Sequence, residues 1–92
     1  MANAIQITLI GKPGCHLCDN ARESLNAVID GFLGSFPAER VEVTELNILD
    51  DAELALRHSE EIPVILINGR MHGYWHVEPA RLRAALEEAA NV

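Results

Sequence analysis

Basic residues are scarce in this chain: seven lysines and arginines face fourteen acidic side chains, for a net charge of −7 over 92 residues. That balance opposes broad contact with a phosphate backbone and supplies no basic stripe for anionic lipid, so neither nucleic acid nor a membrane surface is an expected partner. Cysteine is scarcer still. Cys15 and Cys18 allow one intramolecular bridge at most, and a bridge across so few residues closes too small a loop to staple a secreted fold. The pair is therefore read as functional. The chain also lacks internal repeats and low-complexity tracts, and no apolar stretch approaches the ~20 residues of a membrane-spanning helix. The first ten residues carry no basic leader, and Gln6 and Thr8 interrupt their apolar positions before Gly11, which does not match a signal peptide. The expectation is a single domain over residues 1–92 in the cytoplasm, where a Cys-x-x-Cys is usually catalytic, redox-sensing or metal-binding.

The elements follow from periodicity. Ile5, Ile7 and Leu9 alternate with Gln6 and Thr8, a first strand in a largely buried sheet. From Cys15 onward, Leu17, Ala21, Leu25, Val28, Ile29 and Phe32 recur at helical spacing, and the helix should stop near Gly31 or Gly34. Val41 to Ile48 is rich in β-branched residues, a second strand whose alternation shifts phase between Val43 and Leu46 as a bulge would make it. Asp50 or Asp51 can cap a short helix from Ala52 to His58, with Glu53 in capping-box position to Asp50. Ile62 to Ile67 reads as an inner strand with Pro63 at its start, since a proline cannot sit in mid-ladder. Asn68-Gly69 predicts a hairpin returning through Arg70 to Trp75. Pro79 opens a last helix, with Val77 and Leu82 spaced as a hydrophobic staple. The order is β-α-β-α-β-β-α, an α/β chain.

The chemistry concentrates in Gly11-Lys12-Pro13-Gly14-Cys15-His16-Leu17-Cys18, between the first strand and the first helix. A Pro-Gly turn can seat Cys15 at the helix N-terminus, where unpaired N–H groups and the positive dipole end stabilise a thiolate. Cys18 lies one turn further in, close enough to form a disulfide with little chain movement. His16, if protonated, adds positive charge beside Cys15 and would make the disulfide more oxidising.

With that Cys-x-x-Cys at the first strand-helix junction, and Ile62-Pro63-Val64-Ile65-Leu66-Ile67-Asn68-Gly69 later, the chain resembles the glutaredoxin-like families of the thioredoxin-fold superfamily over nearly its whole length. The resemblance implies a three-layer fold around a four-stranded mixed sheet, with Cys15 as nucleophile and Cys18 as resolving thiol. It also implies a cis bond before Pro63, and a backbone at Ile62 that pairs with an extended substrate. Lys12 matches a lysine that such proteins place near the glycyl carboxylate of glutathione. The implied activity is thiol-disulfide exchange with a disulfide-containing protein or a glutathione mixed disulfide. No bound organic cofactor is implied; glutathione, as co-substrate, or a partner reductase would recycle the dithiol. Two departures stand out: the His16-Leu17 centre, and Gly73-Tyr74-Trp75-His76-Val77-Glu78 where glutaredoxins carry a Gly-Gly turn and an acidic helix start.

Two other readings belong to different classes. The fold could serve as a non-catalytic protein-binding module, or the two thiolates could carry a metal, with His72 and His76 as further nominal ligands. His72 and His76 are more simply polar surface residues, and Tyr74 and Trp75 more simply cover the sheet edge than form a substrate platform.

Overall fold

In the computed structural model, which describes residues 4–91, four strands form one mixed sheet in the order β2-β1-β3-β4. Strand β1 (Ile5–Gly11) is central because it buries apolar residues on both faces: Ile5, Ile7 and Leu9 on one, and Ile10 on the other. It pairs in parallel with β2 (Val41–Asn47) and antiparallel with β3 (Val64–Ile67), which in turn pairs antiparallel with β4 (Arg70–Tyr74). The hairpin between β3 and β4 turns on Asn68 (φ 50°) and Gly69 (φ 81°). Positive φ at both central residues matches the right-handed twist of the flanking strands. Asn68 is doubly anchored: its side-chain oxygen accepts from the Gln6 N–H at 2.9 Å, and its own N–H donates to the Gln6 carbonyl at 2.7 Å.

Helix α1 (His16–Ser35) lays Cys18, Ala21, Leu25, Ile29 and Phe32 against the sheet as one buried stripe. It continues through Gly31 and Gly34, where the sequence predicts a stop. Gly31 lies where α1 meets α3 (Pro79–Ala90), with the Arg83 guanidinium 3.7 Å from where a Cβ would stand. Helix α3 starts on Pro79 as expected, and Leu82 is fully buried with Val77 packed on the same cluster. Arg83 also lies 5.8 Å and 5.9 Å from the ring centres of Phe32 and Phe36, closing the far end of the helix pair.

The second face of the sheet is covered by less. A single 3₁₀ turn at Ile48–Asp50 leads into α2 (Ala52–His58), which buries no residue completely. Its N-cap is Asp51, whose carboxylate accepts from the N–H groups of Glu53 (2.9 Å) and Leu54 (3.4 Å). The box expected between Asp50 and Glu53 does not form, because Asp50 is spent in the preceding turn. Nor does β2 carry the expected bulge. Its register with β1 is unbroken from Ile5↔Val41 to Gly11↔Asn47. As an edge strand with most of its side chains exposed, β2 has no buried face to demand strict alternation. The irregularity lies instead between β3 and β4, where Leu66 faces Met71 and Ile65 faces Gly73, so that His72 is the extra residue.

Burial falls into two clusters. The larger joins β1, α1 and α3 around Leu25, Phe32, Leu82 and Leu86. The smaller contains Ile10, Cys18, Ile48, Ile62 and Val64, with Cys15, Leu54 and Ala55 packed against it. At its edge, Gly11 admits the helix sulfur: a Cβ on residue 11 would stand 2.9 Å from Cys18 Sγ. Overpacking of this kind costs about 1–3 kcal/mol. Gly11→Ala should therefore destabilise the oxidised protein by that much in urea unfolding, and an unchanged midpoint would show that the sulfur has room to move.

Candidate active site

Gly14, at φ 73°, makes the left-handed step that a side chain resists, and it delivers Cys15 to the start of α1. Cys15 is itself the N-cap, in extended conformation. Its Sγ accepts a hydrogen bond from the Cys18 N–H at 3.1 Å, and its carbonyl accepts the Asp19 N–H at 3.0 Å. A sulfur thus occupies the position where serine or aspartate oxygens usually satisfy the first free N–H groups of a helix. The two sulfurs are joined as a disulfide with the Cα atoms 5.2 Å apart, within the usual span for such a bond.

The two halves of the bridge differ in accessibility. Cys18 is 1% exposed and belongs to the smaller core cluster, whereas Cys15 is only half-buried. His16, the first helical residue, points to solvent, and Leu17 is 41% exposed beside it. Ile62 shares the cluster of Cys18, so two site residues some forty positions apart in sequence are packed into one body. Pro63, buried and following a cis peptide bond, lines a narrow crevice with Ala21 of α1 and with His72, His76 and Arg81. Lys12 is elsewhere. It is exposed on a separate cleft of about 210 Å³ that reaches from the end of β1 across Cys18 to the end of β2.

Sequence reasoning does not single out the charged wall of that cleft. Arg22 bonds Glu45 of β2 (2.8 Å) and Asp19 (2.9 Å), and these carboxylates, Glu45 foremost, hold its guanidinium above the ordinary arginine range. The Asp19-Arg22 spacing is a legible helical pair. Glu45 is not, because it reaches Arg22 only through the register that sets it opposite Leu9.

His72 corrects the expectation of a polar surface residue. Sitting at the bulge, it is half-buried, and burial together with the nearby Arg81 charge lowers its pKa from the ordinary imidazole value against a weaker pull from Glu78. Gly73, next along, lies under Arg81, whose guanidinium is 3.2 Å from where a Cβ would be. Among the described residues, no three His, Cys, Asp or Glu side chains converge, and His72 and His76 are not brought onto the two sulfurs. Trp75 does more than cover an edge. At φ 67°, a backbone setting that costs a bulky residue about 1–3 kcal/mol, it donates its N–H to the Pro63 carbonyl at 2.8 Å and its indole N–H to the Glu60 carbonyl at 3.1 Å. Its ring meets Tyr74 edge to face with centres 4.9 Å apart.

The chain is similar to an uncharacterized protein of Mycobacterium tuberculosis, with 33% identity over 79 residues that cover 86% of this chain and 79% of the relative. Among solved structures it resembles protein XcR50 from X. campestris, at TM-score 0.69 and 31% identity, covering 89% of this chain and 96% of the other. It also superposes on thioredoxin-2 of the malaria parasite at TM-score 0.64 and 17% identity, covering 96% of this chain and 85% of that one, a likeness of fold alone. The glutaredoxin-like domain (DUF836) matches residues 6–87. With the paired cysteines at the head of α1 on a thioredoxin-like sheet, the chain belongs to the glutaredoxin-like domain family.

Proposed function

We propose that this protein is a thiol-disulfide oxidoreductase in which Cys15 is the attacking thiol and Cys18 the resolving one. The observation that carries this reading is the asymmetry of the pair. Cys15 is half-buried and its sulfur accepts a helix N–H, while Cys18 is buried in the core and bonded to it. In the reduced protein, the Cys15 thiolate attacks one sulfur of a substrate disulfide, forming a mixed disulfide and expelling the first substrate thiolate. Cys18 then loses its proton and attacks the Cys15 sulfur. The second substrate thiolate leaves, and the Cys15–Cys18 bridge holds the two electrons' worth of oxidation. Return to the dithiol consumes two electrons from an external thiol reductant, either glutathione or a reductase.

The same geometry supports a docking edge. Ile62 is fixed by its side chain in the cluster of Cys18, and in this reading its main chain pairs with an extended substrate segment. Such pairing reads backbone more than side chains. Substrates of this site are disulfide-containing proteins or glutathione mixed disulfides, and Lys12 offers a positive charge on the cleft that Cys18 lines. His16, when protonated, adds to the stabilisation of the Cys15 thiolate. We place the protein in the cytoplasm, where the reducing poise keeps such a pair cycling; among the described residues no helix is long and apolar enough to cross a membrane.

With oxidised glutathione or a peptide disulfide, the Cys18→Ser variant should accumulate a mixed disulfide on Cys15, visible as an added mass that dithiothreitol removes. Cys15→Ser should capture nothing, and the reverse pattern would exchange the two roles. His16→Ala should raise the pKa of Cys15 by a few tenths of a unit, the size of a first-turn charge effect, as read from the ultraviolet absorbance of the thiolate. An unchanged titration would leave His16 with no electronic role.

A further inference from the structure

Trp75 ties together two segments that the fold could have left independent. Its main-chain N–H and its indole N–H both end on carbonyls of the stretch Glu60–Pro63, which joins α2 to β3 and carries the docking edge. These two bonds come from one residue just beyond the end of β4, at distances of 2.8 and 3.1 Å. Core packing holds the side chains of Ile62 and Pro63, but the polar contacts at the Glu60–Glu61 end of the stretch are otherwise local, the His58 ring meeting the Glu61 carboxylate at 3.2 Å. Helix α2 before it buries no residue completely, and the Glu61 N–H is spent locally on the His58 carbonyl at 2.8 Å. The approach of the indole also follows from the backbone. The bulge at His72 shifts β4 by one residue, so that Tyr74 faces Val64 at the start of β3, and the left-handed setting of Trp75 then folds the chain back across the segment before β3. A bulky residue keeps such a conformation only where its surroundings over-determine it.

We infer that Trp75 is a positioning residue for the docking edge: its two bonds hold Glu60–Pro63 in the register that an incoming substrate strand must meet. This rests on the proposed redox function for its consequence in turnover, but not for the clamp itself. Trp75 touches neither sulfur in this role. It acts through Ile62 and Pro63, so its loss should weaken reactions that need strand pairing and spare those that do not.

Trp75→Phe separates the parts, because phenylalanine keeps a ring against Tyr74 and the main-chain bond while deleting the indole donor. Amide exchange should then quicken about fivefold, the worth of one ordinary hydrogen bond, at Glu61 and residue 75, while Ile7 and Leu9 of β1 keep their wild-type protection. With a peptide disulfide, KM should rise by about the same factor with kcat little changed, whereas turnover of hydroxyethyl disulfide, too small to pair with the edge, should be unaffected. Unchanged exchange at Glu61 and residue 75, uniformly faster exchange throughout the sheet, or equal losses on both disulfides would each overturn the assignment. If neither wild type nor variant turns over any disulfide, the redox reading fails, and the exchange rates still decide the clamp.

Discussion

The hydrogen bond from the Cys18 N–H to the Cys15 sulfur, 3.1 Å long, is the constraint on which the site is built. A helix must satisfy its first N–H groups from outside its own ladder, and here the group that does so is the sulfur of Cys15, the half-buried member of the pair and the proposed nucleophile. Capping and chemistry therefore share one atom. A negative charge on that atom suits both, since it strengthens the cap and faces the positive end of a helix of 20 residues. The sequence before it serves the same end: Pro13 and Gly14 turn the chain off β1, and Gly11 gives up its side chain so that the next turn of the helix can press Cys18 against the strand.

That pressing makes the site a property of the core. Cys18, Ile62 and Val64 share the smaller cluster with Ile10 and Ile48, so the proposed resolving sulfur and the root of the proposed docking edge are positioned by a single set of contacts. A substitution that loosens this cluster moves both together. The larger cluster, between β1, α1 and α3, holds the helix at its far end through Phe32 and Leu25 and keeps its N-terminus aimed at the turn. The lighter cover over the other face, where α2 has only Leu54 and Ala55 seated on the smaller cluster, leaves the stretch leading to Pro63 dependent on neighbours such as Trp75.

Features written in adjacent residues are legible in the sequence itself. Asn68-Gly69, Pro79, the Val77–Leu82 staple, the alternation of Ile5, Ile7 and Leu9, and the Cys-x-x-Cys at its junction are each local, and each stands where its spacing places it. What escapes such a reading depends on residues distant in sequence. The phase break in β2 resembles a bulge because nothing in its own residues says that it lies at an edge. The true bulge, at His72, is set by what β4 must face on β3 and α3. The Arg22–Glu45 pair exists only through the parallel register of β1 with β2, and the grip of Trp75 on Glu60 spans fifteen residues and a reversal of the chain. Lys12 is legible as an exposed cation, but that it lines a cleft with Cys18 and the end of β2, apart from the Pro63 crevice, depends on how the chain folds.

The most direct measurement is the pH dependence of iodoacetamide alkylation of the reduced protein, with the modified cysteine identified by peptide mass. A thiol ionised by a helix N-terminus titrates between about 3.5 and 7.5, so Cys15 should be labelled with a half-maximal rate in that window while Cys18 stays unmodified in the folded chain. A midpoint near 8.5, the value of an unperturbed thiol, or equal labelling of both cysteines, would contradict the idea that the helix start and the core divide the pair into an attacking and a resolving sulfur.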